Sequence, residues 1–412
     1  MEQIVERCAG LDVHRDTVVA TVRMPGEDGE RRQETRTFAT TLPQVQALSA
    51  WLCECGVTLV GMEATGVYWK PVFWVLEDAF ECWLLNAQHL RHVPGRKTDV
   101  ADSAWICQLL EHGLVRPSFV PPKPIRELRD LTRYRRAQIE ERTRTVQRLE
   151  KVLQDAGIKL TSVATKVLSK SGREMLEAML DGQQDPELLA ELARGRLRAK
   201  IPQLQEALTS RFRLDHHGVA IAQILAHVDF LDESIAAVTG RIEELMVPYA
   251  TVRARVMTIP GVRERVADAL IAECGVDMGR FPTAGHLASW AGMCPGNNAS
   301  GGKRKSGKTR HGNKWLRHAL TEAAQAAART RGTYLASRYA QIRGRSGKAK
   351  AVGAIRHDIL IAYWHIVTNE VDYHDLGPDW IASRNSPEHR TRRLVRQLES
   401  LGHTVTLEPV AS

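Results

Sequence analysis

Short apolar runs alternate with amphipathic stretches over the first 115 residues. Runs near 8–13, 17–24, 34–40, 57–62 and 82–86 read as strands, and periodic stretches near 43–55, 67–80 and 99–113 read as helices. The first three strands follow closely enough for an antiparallel meander, whereas the fourth and fifth are each reached through a helix and are expected to be parallel. The pattern predicts a mixed sheet with helices on its faces. Pro117, Pro121, Pro122 and Pro124 then interrupt it.

Beyond the prolines, Leu128, Leu131, Ile139, Val146, Leu149 and Leu153 recur at roughly helical spacing among Arg126, Arg129, Arg133, Arg135, Arg136, Arg142, Arg144 and Arg148. A long helix with an apolar seam and a basic outer face is predicted, serving as a spacer or oligomer contact, with more helices to about residue 247. An ordinary helix with a solvated charged face is the plainer alternative. A third region opens at VMTIPGVRERVADALIAECG. Its Ile259-Pro260-Gly261-Val262 step, followed by Ala267, Leu270, Ile271 and Gly275, resembles a helix-hairpin-helix element, whose backbone N–H groups around Gly261 can meet a phosphate. A purely structural helical hairpin fits the same pattern. The tail EHRTRRLVRQLESLGHTVTLEPV reads as one helix and a closing strand. The expected division is therefore 1–120, 121–250, 251–375 and 376–412, an α/β region followed by mainly helical ones.

Composition narrows the function. At 412 residues the chain exceeds what one core usually organises, and 43% hydrophobic with 25% charged residues is the balance of a soluble globular protein. A net charge of +9 and a pI near 9.3 point to a polyanionic partner, although membrane-surface proteins share that balance. No run of eighteen apolar residues occurs and MEQIVERCAG lacks a signal-peptide core, so a cytoplasmic protein without a membrane partner is expected. The seven cysteines show neither CxxC pairs nor zinc-like spacing, and are expected to be reduced thiols.

The candidate chemistry lies in four acids: Asp12 in AGLDVHRD, Glu63 in VGMEATG, and Asp99 with Asp102 in GRKTDVADSAW. Each of the first two ends an apolar strand, and the other two share one face of a helix's first turn. Singly, each could cap a turn or meet a surface lysine. Together, like charges at strand ends repel, and such a cluster persists cheaply when divalent cations neutralise it, which is what phosphoryl transfer on nucleic acid requires. Asp16 is a weaker candidate.

Downstream, Lys303, Arg304, Lys305, Lys308, Arg310, Lys314 and Arg317 occur between Ser300 and Arg317 with no acid, among several glycines. A second acid-free stretch from Arg338 to Arg356 carries Arg343, Arg345, Lys348 and Lys350. Such cations neutralise phosphates by counterion release. Ser300 and Ser306 are both placed to hydrogen-bond phosphate, or to act as nucleophiles if a neighbouring cation lowers the barrier to losing the proton. His14, His311 and His318 lie nearby without partners at metal spacing, and rank as structural residues or phosphate contacts.

GLDVHRD, MEATGVYW and GRKTDVADSAW, with IPGV and AGMCPGNNASGGKRKSGKTRHGNKWLR, resemble the motifs of DEDD-type insertion-sequence transposases of the IS110 family, related to the Piv pilin-gene invertase. The resemblance covers nearly the whole chain. It implies a RuvC-like, ribonuclease-H-type fold in which Asp12, Glu63, Asp99 and Asp102 bind two magnesium or manganese ions. It also implies a nucleophilic serine matching Ser300 rather than Ser306, a coiled-coil spacer, and a dimer-to-tetramer assembly on donor and target DNA guided by a noncoding bridge RNA. A metal-dependent endonuclease that uses water, with Ser300 a phosphate contact, is the mechanistic alternative. A non-catalytic nucleic-acid-binding protein is the alternative of a different class.

Overall fold

The computed structural model describes residues 4–26, 30–64, 66–86, 102–296, 298–383 and 387–408, with the backbone alone at 298–300, 304–306, 382–383, 387–390 and 393. It forms two compact units, Met1–Val120 and Pro121–Ser412.

The first unit is built on β1 (Cys8–Val13), β2 (Thr17–Pro25), β3 (Arg31–Ala39), β4 (Leu59–Glu63) and β5 (Glu81–Leu85). The sheet order is β3-β2-β1-β4-β5; β1, β2 and β3 pair antiparallel, while β1–β4 and β4–β5 are parallel. This is the mixed sheet that the spacing predicts. Side chains alternate across it. Ala9, Leu11, Val60 and Met62 join a core with α1 (Leu42–Glu54) and α2 (Trp69–Leu76), through Leu48, Leu52, Val72 and Leu76. Cys8 and Leu59 face the other way, into a core with Ile106, Cys107 and Leu110 of α3 (Asp102–Glu111). Each fully buried Val, Leu, Ile or Met among them stabilises the fold by about 1.5–3 kcal/mol.

On that second face the strands present Gly10 and Gly61. A β-carbon at Gly10 would lie 2.1 Å from the Ser103 carbonyl oxygen and 2.4 Å from the Cys107 nitrogen, and one at Gly61 would lie 2.5 Å from Leu110 Cδ1. The helix therefore rests directly on the β1 backbone. At its far end, buried Glu111 is held by Arg23 (2.7 Å) and Arg31 (2.5 Å) from β2 and β3.

Among its described residues the second unit is helical apart from one small hairpin. Its long helix α4 (Lys123–Asp155) runs antiparallel to α5 (Val219–Met246), with Arg142 paired to Asp232 and Gln138 hydrogen-bonded to Ser234. Short helices between them close a core of Leu149, Leu153, Met175, Leu176, Leu204 and Leu225. Then come α6 (Ala250–Val256), α7 (Glu264–Cys274), α8 (Ala284–Trp290), the hairpin β6 (Asn298–Ser300) and β7 (Lys303–Ser306), α9 (Lys314–Ala327), α10 (Tyr334–Ser346), α11 (Lys348–Asn369) and α12 (Pro387–Ser400).

Two expectations need correction. The inward face of α4 is not a continuous apolar seam with arginines outside: Arg126, Thr132, Arg135, Gln138 and Thr145 are buried beside Ile125, Leu128, Leu149 and Leu153. The tail forms no strand over 403–408, where Leu407 is exposed and no ladder partner satisfies the backbone. No helix among the described residues is long and apolar enough to cross a membrane. All seven cysteines are free; Cys8 and Cys107 lie buried with their sulfurs 3.6 Å apart, and the hydrogen bond between them holds the Cys107 thiol well above its usual range.

Candidate active site and nucleic-acid interface

Leu11 of β1 is level with Met62 of the parallel strand β4. The next residues, Asp12 and Glu63, thus leave the sheet side by side at the carboxyl ends of neighbouring strands. Alternation places both on the face that Gly10 and Gly61 open to α3. The helix runs with Ser103 beside Gly10 and Cys107 beside Cys8, so its first residue, Asp102, lies at the same edge. A chain of hydroxyls fixes that helix start: Thr35 to Thr21 at 2.9 Å and Thr21 to Ser103 at 2.8 Å. The backbones of three of the four expected acids thus lie toward one end of the sheet, and Asp99 falls outside the described residues.

His14 Nε2 lies 3.1 Å from Asp12 Oδ2. Sequence reasoning ranked this histidine low because no metal-spaced partner accompanies it, yet the two-residue spacing at a strand end is what brings it onto the acid. Carboxylates are the donors that suit a hard divalent cation such as magnesium or manganese, and the strand register brings the backbones of Asp12 and Glu63 to neighbouring positions.

Ser300 stands at the tip of the β6–β7 hairpin, paired with Lys303 across Gly301 and Gly302. Both glycines have positive φ (58° and 74°), the signature of a type I′ turn, so the serine sits on a defined hairpin rather than in a loose glycine-rich loop. Nothing lies within 4 Å of a β-carbon built at either glycine, so the turn projects into open space. Its root is clamped: β-carbons at Gly292 and Gly296 would lie 2.8 Å from Gly312 Cα and 2.5 Å from the Lys308 oxygen. Ser306 pairs with Asn298 at that root.

Lys303, Lys308, Arg310 and Lys314 are exposed around the hairpin; Arg304 and Lys305 belong to β7, their side chains outside the described set. Arg317 is partly committed, donating to the Arg310 carbonyl at 2.9 Å. Arg343, Arg345 and Lys348 form a separate exposed group where α10 meets α11. Gly261, in the turn between α6 and α7, has φ +87°, and a β-carbon there would lie 2.4 Å from the Ala323 oxygen. Close packing on α9 accounts for this glycine.

The arginines of α4 serve the protein itself. Arg133 grips Glu273 with two bonds of 2.7 Å, and Arg129 donates to the Ala272 and Glu273 carbonyls at 2.9 and 2.7 Å. Asn313 also donates to Glu273, while its Oδ1 accepts from the Trp315 and Leu316 amides at 3.0 and 3.1 Å, capping α9. Arg135 and Arg253 each approach buried Asp268 at 2.9 Å. Burial nevertheless raises the Asp268 carboxyl above its usual range. The sequence held a signal for this network: acids embedded in the apolar run VADALIAEC demand buried partners.

Away from the sheet, Asp155, His216 and His217 lie close enough to share a metal ion. However, His217 Nδ1 accepts the Arg213 amide at 3.1 Å, which leaves the proton on Nε2, 3.2 Å from Asp155. A ring in that tautomer donates to the acid and offers no lone pair to a cation.

Residues 9–158 match the family model for DEDD transposases of the IS110 type, described as a transposase, and residues 253–340 match the model described as the transposase IS116/IS110/IS902 family. Together they account for more than half of the chain. No curated protein matches it. The sheet, but for Cys8, lies within the first match and the serine hairpin within the second, in the order of the motifs, and the chain belongs to the IS110 family of transposases, enzymes that recombine DNA.

Proposed function

We propose that this transposase cuts and rejoins DNA through a covalent link between Ser300 and a strand end, with the acids of a RuvC-like sheet unit supplying the metal site. What supports the reading is the backbone placement of Asp12 and Glu63 at neighbouring strand ends with Asp102 opening the helix packed on them, in a chain whose second family match contains a serine on a glycine-tipped hairpin. Asp12, Glu63 and Asp102, with Asp99, would hold two divalent cations, which supply charge neutralisation at the scissile phosphate. Ser300 Oγ attacks phosphorus, its proton passing to solvent or a nearby base. The bond to the leaving sugar oxygen breaks, and that oxygen takes up a proton. The phosphodiester energy stays in the serine ester, so a hydroxyl from another strand reverses the step without a nucleotide cofactor.

Exposed cations around the hairpin, with Arg343, Arg345 and Lys348 and the turn at Gly261, would carry phosphate contacts to donor and target DNA in the cytoplasm. The family resemblance supports a bridge RNA as guide, the α4–α5 helix pair as a coiled-coil-like spacer, and an assembly of two to four chains.

The test is to incubate the protein with labelled donor and target DNA, the noncoding RNA flanking its element, and magnesium, then look for a denaturant-resistant protein–DNA adduct. An adduct lost in Ser300→Ala, in EDTA and without the RNA is expected. Cleavage to free ends with no adduct would instead establish a water-using nuclease, and binding without cleavage a purely binding protein.

A further inference from the structure

Between α4, α7 and α9 of the second unit lies an open pocket of about 150 Å³. A cavity of roughly that volume accepts a benzene ring. Its floor is apolar, formed by Ile139, Val266, Ala269 and Ala319, and one wall is the half-buried indole of Trp315. Cations outnumber acids around the pocket, with Glu273 and Glu322 also in the lining. Arg136 and His318 stand on one side, and Arg265 is exposed and forms no ion pair among the described residues. Lys314 Nζ lies 5.0 Å and the Arg133 guanidinium 5.8 Å from the Trp315 ring centroid.

The pocket is rigidly built. Glu273 fixes Arg133 through two 2.7 Å bonds and binds the side chain of Asn313, whose oxygen in turn caps the helix turn carrying Trp315. The wall is thus held in place before anything binds. Glu322 is engaged by Arg136 and Glu273 by Arg133, which leaves Arg265 as the lining cation that forms no ion pair among the described residues.

A ring-sized pocket beside an indole, with an exposed arginine in its lining, suits an unpaired nucleobase with its phosphate. Lys314 and Trp315 open α9 directly after the basic stretch Lys303–Arg310, so a strand lying on that stretch passes the pocket. Bases inside a duplex are stacked on both faces and cannot enter. We propose that this pocket captures one unpaired nucleotide of a bound strand, its base against Trp315 and its phosphate at Arg265. The proposal rests on the reading of the chain as a nucleic-acid enzyme and adds a site that holds a base out of the stack during strand transfer.

The test uses the full-length protein in EDTA, with single-stranded DNA and RNA oligonucleotides carrying 5-iodouracil, and duplexes of the same sequence. After irradiation, the crosslinked peptide is identified by mass spectrometry. Crosslinking to the Trp315 peptide by single strands and not by duplexes is expected, and comparing the DNA and RNA arms shows which strand the pocket takes. Trp315→Leu should weaken single-strand binding by on the order of tenfold to a hundredfold with the melting temperature unchanged, and Trp315→Phe should restore most of it. Crosslinks confined to other peptides, equal crosslinking by duplex, or unaltered affinity in Trp315→Leu would overturn the pocket while leaving the covalent mechanism standing. A wild-type protein that binds neither nucleic acid would overturn both.

Discussion

Asp12 at the sheet edge and the carboxylates of the α4–α7 contact occupy opposite electrostatic situations. Glu273 and Asp268 are buried, and each is gripped by arginines that the chain itself provides. Glu111, at the other end of α3 from Asp102, is held in the same way. Asp12, by contrast, stands at a strand end partly open to solvent, and among the described residues its ion-pair partner is a histidine. Acids that hold the fold come with their own cations, whereas the acid at the sheet edge is left to be neutralised by something that arrives. The same residue type is thereby sorted into structural and chemical roles by what stands opposite it.

The sharpest way to break this contrast is substitution on both sides. Asp12→Ala or Asp102→Ala should reduce DNA cleavage by roughly a hundredfold to a thousandfold, the size expected for losing a preorganised electrostatic group, with the melting temperature nearly unchanged. Conversely, Glu273→Gln should cost about 2–3 kcal/mol in urea unfolding, because the half-buried Arg129 and Arg133 lose their acid. If the Asp12 variant also unfolded early, the sheet-edge acids would belong to the structural class.

Smaller effects sharpen the picture. Gly10→Ala forces a β-carbon into the Ser103 carbonyl and should destabilise by about 1–3 kcal/mol, with activity falling further than stability as Asp102 is displaced. Replacing Gly301 by Ala should weaken the hairpin by about 1–2 kcal/mol through its positive φ, slowing adduct formation severalfold without moving the global unfolding transition.

Much of the sheet unit was legible because its strands are short, alternate cleanly and are separated by helices or close turns. Asp12 and Glu63 could be placed at strand ends from the apolar runs before them, but their side-by-side register depends on β1 pairing with β4 across some fifty residues, which no local pattern encodes. The hairpin at Ser300 left a readable mark, two glycines between basic segments, but without alternating apolar residues the mark reads equally as a loose loop. The arginines of α4 were misplaced for a different reason. Periodicity marks which residues share a face and not what that face meets, and the acids that draw Arg133 and Arg135 inward lie more than 130 residues away. Trp315 and Arg265 were likewise invisible as a pair, since only the packing of α9 on α7 brings them together.

The uninterrupted 33 residues of α4 have one more consequence. At about 1.5 Å per residue it is a rod of roughly 50 Å, whose first half grips α7 through Arg129, Arg133 and Arg135 and whose last turns seat Leu149 and Leu153 in a separate core. It therefore fixes phase as well as distance. One residue inserted near Glu141 would turn the two halves by about 100° relative to each other, so that only one of them could keep its partners, whereas seven inserted residues would lengthen the rod by about 10 Å and nearly restore its angle. Length variation among such helices should accordingly come in steps close to whole turns.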